Sequence, residues 1–314
     1  MKLKNVHLWL FYRSLEGVFL ASLGLLRLFP PSLFSRLATP AFKLLIYFLV
    51  PRGRISKNLG GAFGEIYSSA TKKGVAKGVQ EHFVKNLVDC FLHMADPERT
   101  RKLALIEGSA NLSAALAKGK GVIALGAHIG NFVLVGARLG MEGHRFHTLF
   151  RVPSEKRIRR FVDRYLPYFH QQVIPSQPKS VAVKRILEAL KKNEIVFILG
   201  DNLKKGKIQA LLFGQRVPSP RGPVSLALRS GAAVVPMYLI RNYQGGLHLI
   251  IEPEIVMARN ESLSDDITNN TQQLVAYLEK LIRRYPDQWN WLTVRMRKHR
   301  PAPGFSMPKS FSGD

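Results

Sequence analysis

This sequence predicts an α/β fold, with a mixed, mostly parallel sheet flanked by helices, and three observations predict it. Short, largely apolar runs at 122–125, 147–150, 172–174, 195–199, 233–240 and 247–251 have the length and the turn-residue borders of buried strands. Segments of helical character at 132–141, 154–168, 178–192 and 221–230 lie between them, and such alternation builds a sheet covered on both faces. The first run also feeds straight into Gly126-Ala127-His128, a strand-to-helix turn of the kind at which α/β proteins bind ligands.

Taken in order, the chain starts with a segment unlike the rest. Residues 8–29 are largely apolar but are interrupted by Arg13, Glu16 and Arg27, so the uninterrupted core is shorter than the ~20 residues of a clean spanning helix. Pro30-Pro31 ends that stretch, a second apolar stretch covers 41–50, and Pro51 closes it. A helix that enters or crosses the bilayer, followed by an interfacial one, fits this pattern; two helices buried on a soluble core fit it as well. The cations Arg52, Arg54 and Lys57 follow at once, as expected on the cytoplasmic flank of a membrane anchor. Residues 58–119 read as helical, with Val75, Val79, Phe83, Leu87 and Phe91 at close to helical spacing. A last helix is expected over 266–284. The domain reading is therefore 1–51 as N-terminal membrane-anchoring or interfacial helices, 52–300 as the α/β unit, and 301–314 as a disordered tail rich in Pro, Ser and Gly.

Composition narrows the function classes. Among 314 residues Cys90 is the one cysteine, which excludes an intrachain disulfide and a cysteine-based metal site. A net charge of +26 calls for an anionic partner. With an apolar amino terminus beside that charge, an anionic membrane surface fits better than nucleic acid, for which the chain has no recognition motif and no interleaved aromatic platform.

Several polar positions fall where strands end. His128 follows the 122–125 run; a neutral imidazole there can take a proton from a hydroxyl, or simply satisfy a strand-end hydrogen bond. Arg151 ends the next run and would share an edge with His128 if their strands are parallel neighbours; it can hold a phosphate or an oxyanion, or be one more surface arginine. Asp201 and Asn202 follow 195–199, and Asp201 can orient His128 or cap a turn. Gly214, Ser219 and Arg221 belong to a turn-rich loop that feeds a helix, whose start can receive an anion. In 286–292, Trp289 and Trp291 suit a membrane interface or a packing lid equally well.

Together these residues resemble the lysophospholipid acyltransferase-like superfamily, and within it the lipid A biosynthesis (lauroyl/myristoyl) acyltransferases. The ordered pieces are Arg54-Ile-Ser-Lys-Asn-Leu-Gly-Gly-Ala-Phe63, Ala127-His-Ile-Gly-Asn-Phe132, Phe150-Arg151, Gly200-Asp-Asn202, Phe213-Gly214, Pro218-Ser-Pro-Arg-Gly222, the Leu226–Pro236 run and Pro286-Asp-Gln-Trp-Asn-Trp291. The resemblance implies a glycerolipid acyltransferase-like fold and an enzyme of the bacterial inner membrane with its catalytic domain on the cytoplasmic side. It would transfer a fatty acyl chain from an acyl thioester, either acyl carrier protein or acyl-CoA, to a hydroxyl of a lipid A precursor, another glycolipid or a related membrane lipid. No metal or redox cofactor is needed for that transfer. On this reading His128 is the general base, Asp201 its partner, and Arg151 the stabiliser of an oxyanion or phosphate. Asn131 holds the active-site turn and, with Asn202, Gly214, Ser219 and Arg221, contacts substrate.

One position departs from the family pattern. Its signature places an Asp or Glu after four residues from the histidine, which here is Val133. Valine cannot accept the imidazole N–H. Either Asp201 or another carboxylate reaches His128 from the neighbouring strand and the chemistry survives, or the fold is kept for binding lipid without catalysis.

Overall fold

In chain order the strands are β1 (Ala104–Glu107), β2 (Val122–Gly126), β3 (Phe146–Phe150), β4 (Gln172–Pro175), β5 (Ile195–Leu199), β6 (Ile208–Leu212), β7 (Gln215–Ser219), β8 (Ala233–Arg241) and β9 (Leu247–Ile251) in this computed structural model. It describes residues 17, 20–26, 28–151, 164, 166–259 and 262–297. Most of the expected 154–168 helix, much of the 8–29 stretch and the whole 301–314 tail lie outside these residues.

Among the described residues one sheet has seven strands in the order β1-β9-β8-β2-β5-β3-β4. Its pairs are parallel except β8–β9. That reversal has a local cause: only a short turn with Gly245 at φ +88° separates β8 from β9, so the chain must fold straight back. The parallel strands β2 and β5 sit in the middle of the sheet, and β2 is buried at every position. Burial on both faces is why such strands read in sequence as unbroken apolar runs.

The helices are α1 (Pro31–Leu49), α2 (Arg52–Phe63), α3 (Ser69–Ala95), α4 (Pro97–Leu103), α5 (Ser109–Leu116), α6 (Val133–Gly140), α7 (Lys179–Lys191), α8 (Gly222–Ser230) and α9 (Leu263–Arg284). One face of the sheet, with Ile123, Leu125, Val196, Ile198 and Val234, packs on α7, α8 and Leu274 of α9. The other, with Ala124, Phe197 and Val235, packs on α5 and α6. A third cluster joins α1, α2 and α3 to the β6–β7 hairpin and to Trp289 and Trp291. In α1 every fourth residue, Phe34, Ala38, Phe42 and Ile46, is buried, and both phenylalanines meet Phe91 of α3. The outer side of α1 leaves Leu44 63%, Tyr47 59% and Phe48 73% exposed.

The structure corrects two details of the expected layout. The 58–119 stretch is not helical throughout, because β1 interrupts it and pairs with β9. The turn-rich loop near 213–222 contains β7, paired antiparallel with β6. Pro218 is tolerated there because β7 forms the edge of a two-stranded ribbon.

Candidate active site

The register of the central pair fixes the site. Gly126 of β2 lies opposite Leu199 of β5, so His128 and Asp201, each two residues further on, leave the same edge of the sheet side by side. The crossing is close: a Cβ on Gly126 would lie 2.3 Å from the Phe197 ring, and the Gly200 N–H donates to the Gly126 carbonyl at 2.9 Å. Glycine at these points lets the two strand ends approach.

The turn that follows is held from three sides. Gly130 has φ +53°, and a Cβ there would fall 2.0 Å from the Leu239 carbonyl oxygen, so a side chain is excluded. From β8, the Leu239 carbonyl accepts the Asn131 N–H at 2.8 Å. From α3, the Asn86 amide donates to the Gly130 carbonyl at 2.8 Å, and the Asn131 amide donates to the Asn86 carbonyl at 3.1 Å. From the carboxyl-terminal strap, the Gln288 carbonyl accepts from Gly130 at 3.0 Å, and the Asn290 N–H donates to the His128 carbonyl at 2.8 Å.

At the centre Asp201 Oδ1 meets His128 Nδ1 at 2.8 Å. Asp201 Oδ2 accepts two further donors, the His128 backbone N–H and the Trp289 indole N–H, each at 2.8 Å. The carboxylate is fully buried, whereas the His128 side chain is 29% exposed. A carboxylate on Nδ1 requires the proton there, leaving the Nε2 lone pair free. Among the described residues no protein group hydrogen-bonds Nε2, and the Phe132 ring stands edge-on to the imidazole at 5.0 Å. Burial by itself would lower the affinity of His128 for a proton. The charge of Asp201 and its hydrogen bond outweigh that cost, and the imidazole is held above its usual 6.5. Burial works to raise the Asp201 carboxyl, but the charge and hydrogen bonds of His128, with help from Trp289, leave it below the ordinary carboxylate value. The pair is thus a partly open base backed by a buried anion.

The other expected site residues are placed less centrally. Arg151 is exposed beyond β3, on the same edge as His128; the expected strand adjacency does not occur, because β5 stands between β2 and β3. Asn202 and Arg221 are exposed, and Gly214, at φ +72°, is at the tip of the β6–β7 hairpin. Ser219 is fully buried, its Oγ donating to the Val217 carbonyl at 3.3 Å. Asn131 is 2% exposed, and its amide is turned toward α3, where its oxygen accepts from the Cys90 thiol at 3.6 Å. Burial pushes that thiol up to about 12, so Cys90 is no nucleophile at neutral pH. Near the Asp201 loop, Lys204 is pushed down by burial and by the charges of Arg295 and Arg54, cations drawn from three separate parts of the chain. Sequence reasoning missed the strap: Trp289 and Trp291 stand out by type, but nothing local tells that Trp289 reaches Asp201.

A family model of bacterial lipid A biosynthesis acyltransferases matches residues 6–298. The chain belongs to this family. The phosphatidylinositol mannoside acyltransferase of Mycobacterium tuberculosis is 28% identical over 201 residues, 61% of either chain. The lipid A biosynthesis palmitoleoyltransferase of Escherichia coli is 28% identical over 208 residues, 65% of this chain and 64% of that one. The chain thus spans a little under two thirds of the curated relatives it matches. At the position where the lipid A acyltransferase signature has its acid, Val133 is the first residue of α6 and 37% exposed, while Asp201 already occupies the imidazole nitrogen that such an acid would orient.

Proposed function

We propose that this chain is a membrane-bound O-acyltransferase that moves a fatty acyl group from an acyl thioester to a hydroxyl of a lipid A precursor or a related glycolipid. His128 Nε2 takes the hydroxyl proton as the oxygen attacks the thioester carbon. The tetrahedral oxyanion collapses, the carbon–sulfur bond breaks, and the imidazolium returns its proton to the leaving thiolate; ester and thiol are the products. Asp201 holds the imidazole in the Nδ1–H tautomer and stabilises the imidazolium. Arg151 faces the oxyanion or a substrate phosphate, with Arg54, Lys204 and Arg295 as further cations for an anionic headgroup or carrier. Asn131 holds the turn, and the exposed Asn202, Gly214 and Arg221 are offered to substrate, whereas the buried Ser219 is left to brace its own hairpin. The half-buried Cys90 thiol, pushed up by its surroundings, favours direct transfer over an acyl-cysteine intermediate.

The observation that carries this reading is the 2.8 Å contact of Asp201 with His128 Nδ1, which supplies what Val133 cannot. A chain kept only for lipid binding has no use for a buried, three-fold hydrogen-bonded carboxylate behind an open imidazole nitrogen. The exposed apolar side of α1, beside Arg52, Arg54 and Lys57, suits an anionic membrane surface, and the basic surface suits an acidic acyl carrier protein or acyl-CoA as donor. On this reading the enzyme works at the cytoplasmic side of the bacterial inner membrane.

The test is mass spectrometry of total lipids from cells lacking the chain, complemented with wild type or with His128→Ala. A lipid short of one acyl chain, restored by wild type alone, is expected and names the acceptor. Equal restoration by both versions would overturn the assignment of His128 and favour the binding role.

A further inference from the structure

We propose that Trp289 is a positioning residue of the His128–Asp201 pair, its indole N–H fixing the carboxylate so that Oδ1 faces the imidazole. Trp289 and Trp291 look alike in sequence, but the structure separates them. Trp289 and Trp291 are both fully buried and pack edge to face at 4.8 Å. Burial removes Trp289 from any membrane interface. The Trp291 indole donates to the Pro286 carbonyl at 2.7 Å, a neutral acceptor within its own segment. The Trp289 indole instead donates to Asp201 at 2.8 Å, an acceptor 88 positions away. A hydrogen bond to a buried anion is stronger than one to a carbonyl, and its loss leaves charge poorly solvated.

The strap that carries Trp289 is tied to the same turn. Trp289 forms an antiparallel bridge with Ile129, between the bonds that Gln288 and Asn290 make to Gly130 and His128. One three-residue segment therefore holds both the backbone of the base and the second oxygen of its partner. That second oxygen is shared with the His128 N–H, so the carboxylate plane is set by two donors on one side and the imidazole on the other. The charged groups acting on His128 and Asp201 are one another, among the described residues. The strap's own charge, Asp287, faces His82 of α3 at 3.3 Å, and the Asp89–Arg241 pair joins α3 to β8.

Trp289→Phe keeps the ring and removes the donor. A carboxylate that has lost one donor is the stronger base and holds the proton shared with the imidazole more tightly. His128 should then titrate at higher pH than in wild type, whereas Asp201→Asn should shift it to lower pH. Trp291→Phe, a loss of equal size at a neutral acceptor, should leave it unmoved. Nitrogen-15 NMR of the full chain in detergent micelles, labelled in histidine and assigned with His128→Gln, reads all of these. Coincident His128 titrations in folded Trp289→Phe and wild type would overturn the proposal. Should Trp289→Phe fail to fold, a sample labelled in tryptophan decides: the indole nitrogen of Trp289 should shift in Asp201→Asn as it loses its anionic acceptor, and an unmoved signal there overturns the proposal.

The kinetic role of Trp289 rests on the acyltransferase reading above, whereas its effect on the titration does not. With palmitoyl-coenzyme A and phosphatidylinositol mannoside micelles as the probe, Trp289→Phe should lower kcat about 10- to 100-fold with KM changed less than about threefold. A fall of the same size in Trp291→Phe would assign the effect to packing and overturn a positioning role. Wild type silent on this probe would count against this donor and acceptor pair, while the titration still decides on Trp289.

Discussion

His128 and His93 are shielded from water to different degrees, at 29% side-chain and 0% residue exposure, and they have opposite fates. His128 stands at the end of β2 with a carboxylate on Nδ1 and an open Nε2. His93, near the end of α3, has both nitrogens taken: Nδ1 by the Thr100 hydroxyl at 3.0 Å and Nε2 by the Tyr168 carbonyl at 3.1 Å. Its ring stacks on Phe169 at 5.3 Å and is 0% exposed. With no anion beside it, burial drives His93 down to about 4, whereas Asp201 keeps His128 above 6.5. Burial alone makes a histidine structural. A base needs a buried anion behind one nitrogen and space in front of the other.

The sharpest way to break this comparison is to take away the anion. Asp201→Asn keeps the shape and removes the charge, and the amide can stabilise the wrong tautomer of His128. Turnover should fall by up to about 10⁴-fold, as when a triad loses its orienting carboxylate. The low-pH limb of activity should move toward lower pH as His128 loses its stabilising charge. Single-turnover rates across pH check both; unchanged turnover would move the partner elsewhere and leave the two histidines equivalent.

A smaller effect tests the other histidine. His93 titrates at about 4 in the folded chain and near 6.5 when unfolded. Between those values the unfolded state binds more protons, so this group costs stability as the pH falls from about 6.5 toward 4, by about 3 kcal/mol in all. His128 has the opposite sign: its raised affinity contributes stability below about 6.5 that is lost as the pH rises through its folded value. His93→Gln should flatten the acid-side loss without touching the chemistry. Urea unfolding between pH 4 and 7 measures it, and an acid slope equal to wild type would show that His93 is not neutral in the fold.

How far these sites could be read in the sequence depended on how local each cause was. The central strands were legible because burial on both faces leaves continuous apolar runs. β1 was not, since Ala-Leu-Ile-Glu is four residues long, sits among helices, and becomes a strand only by pairing with β9. β7 was masked by Pro218 and flanking turn residues, which an edge ribbon accommodates. His128 and Asp201 were legible as residues just beyond strand ends, but that β2 and β5 are neighbours is a fact of strand order. For the same reason Arg151 was expected one strand too near. The Asn86, Gln288 and Trp289 contacts join segments far apart in sequence, and no spacing announces them.

The smallest expected effect concerns the position that departs from the family signature. Val133 opens α6, partly exposed, with its carbonyl accepting from the Gln171 amide at 2.8 Å. Val133→Glu would add a carboxylate to the first turn of a helix, where the dipole favours it by about 0.3–1 kcal/mol. It would not find Nδ1 of His128 free, because Asp201 holds it at 2.8 Å. Turnover should therefore stay within about threefold of wild type while the chain gains slightly in stability. The same change in the Asp201→Asn background is the more telling one, since the imidazole nitrogen has then lost its anion. Partial recovery there would mean that an acid from α6 and an acid from β5 are alternative ways to orient one base. A tenfold or larger gain in the wild-type background would instead give position 133 a task that Asp201 does not perform, and the anion behind His128 would no longer account for the difference between the two histidines.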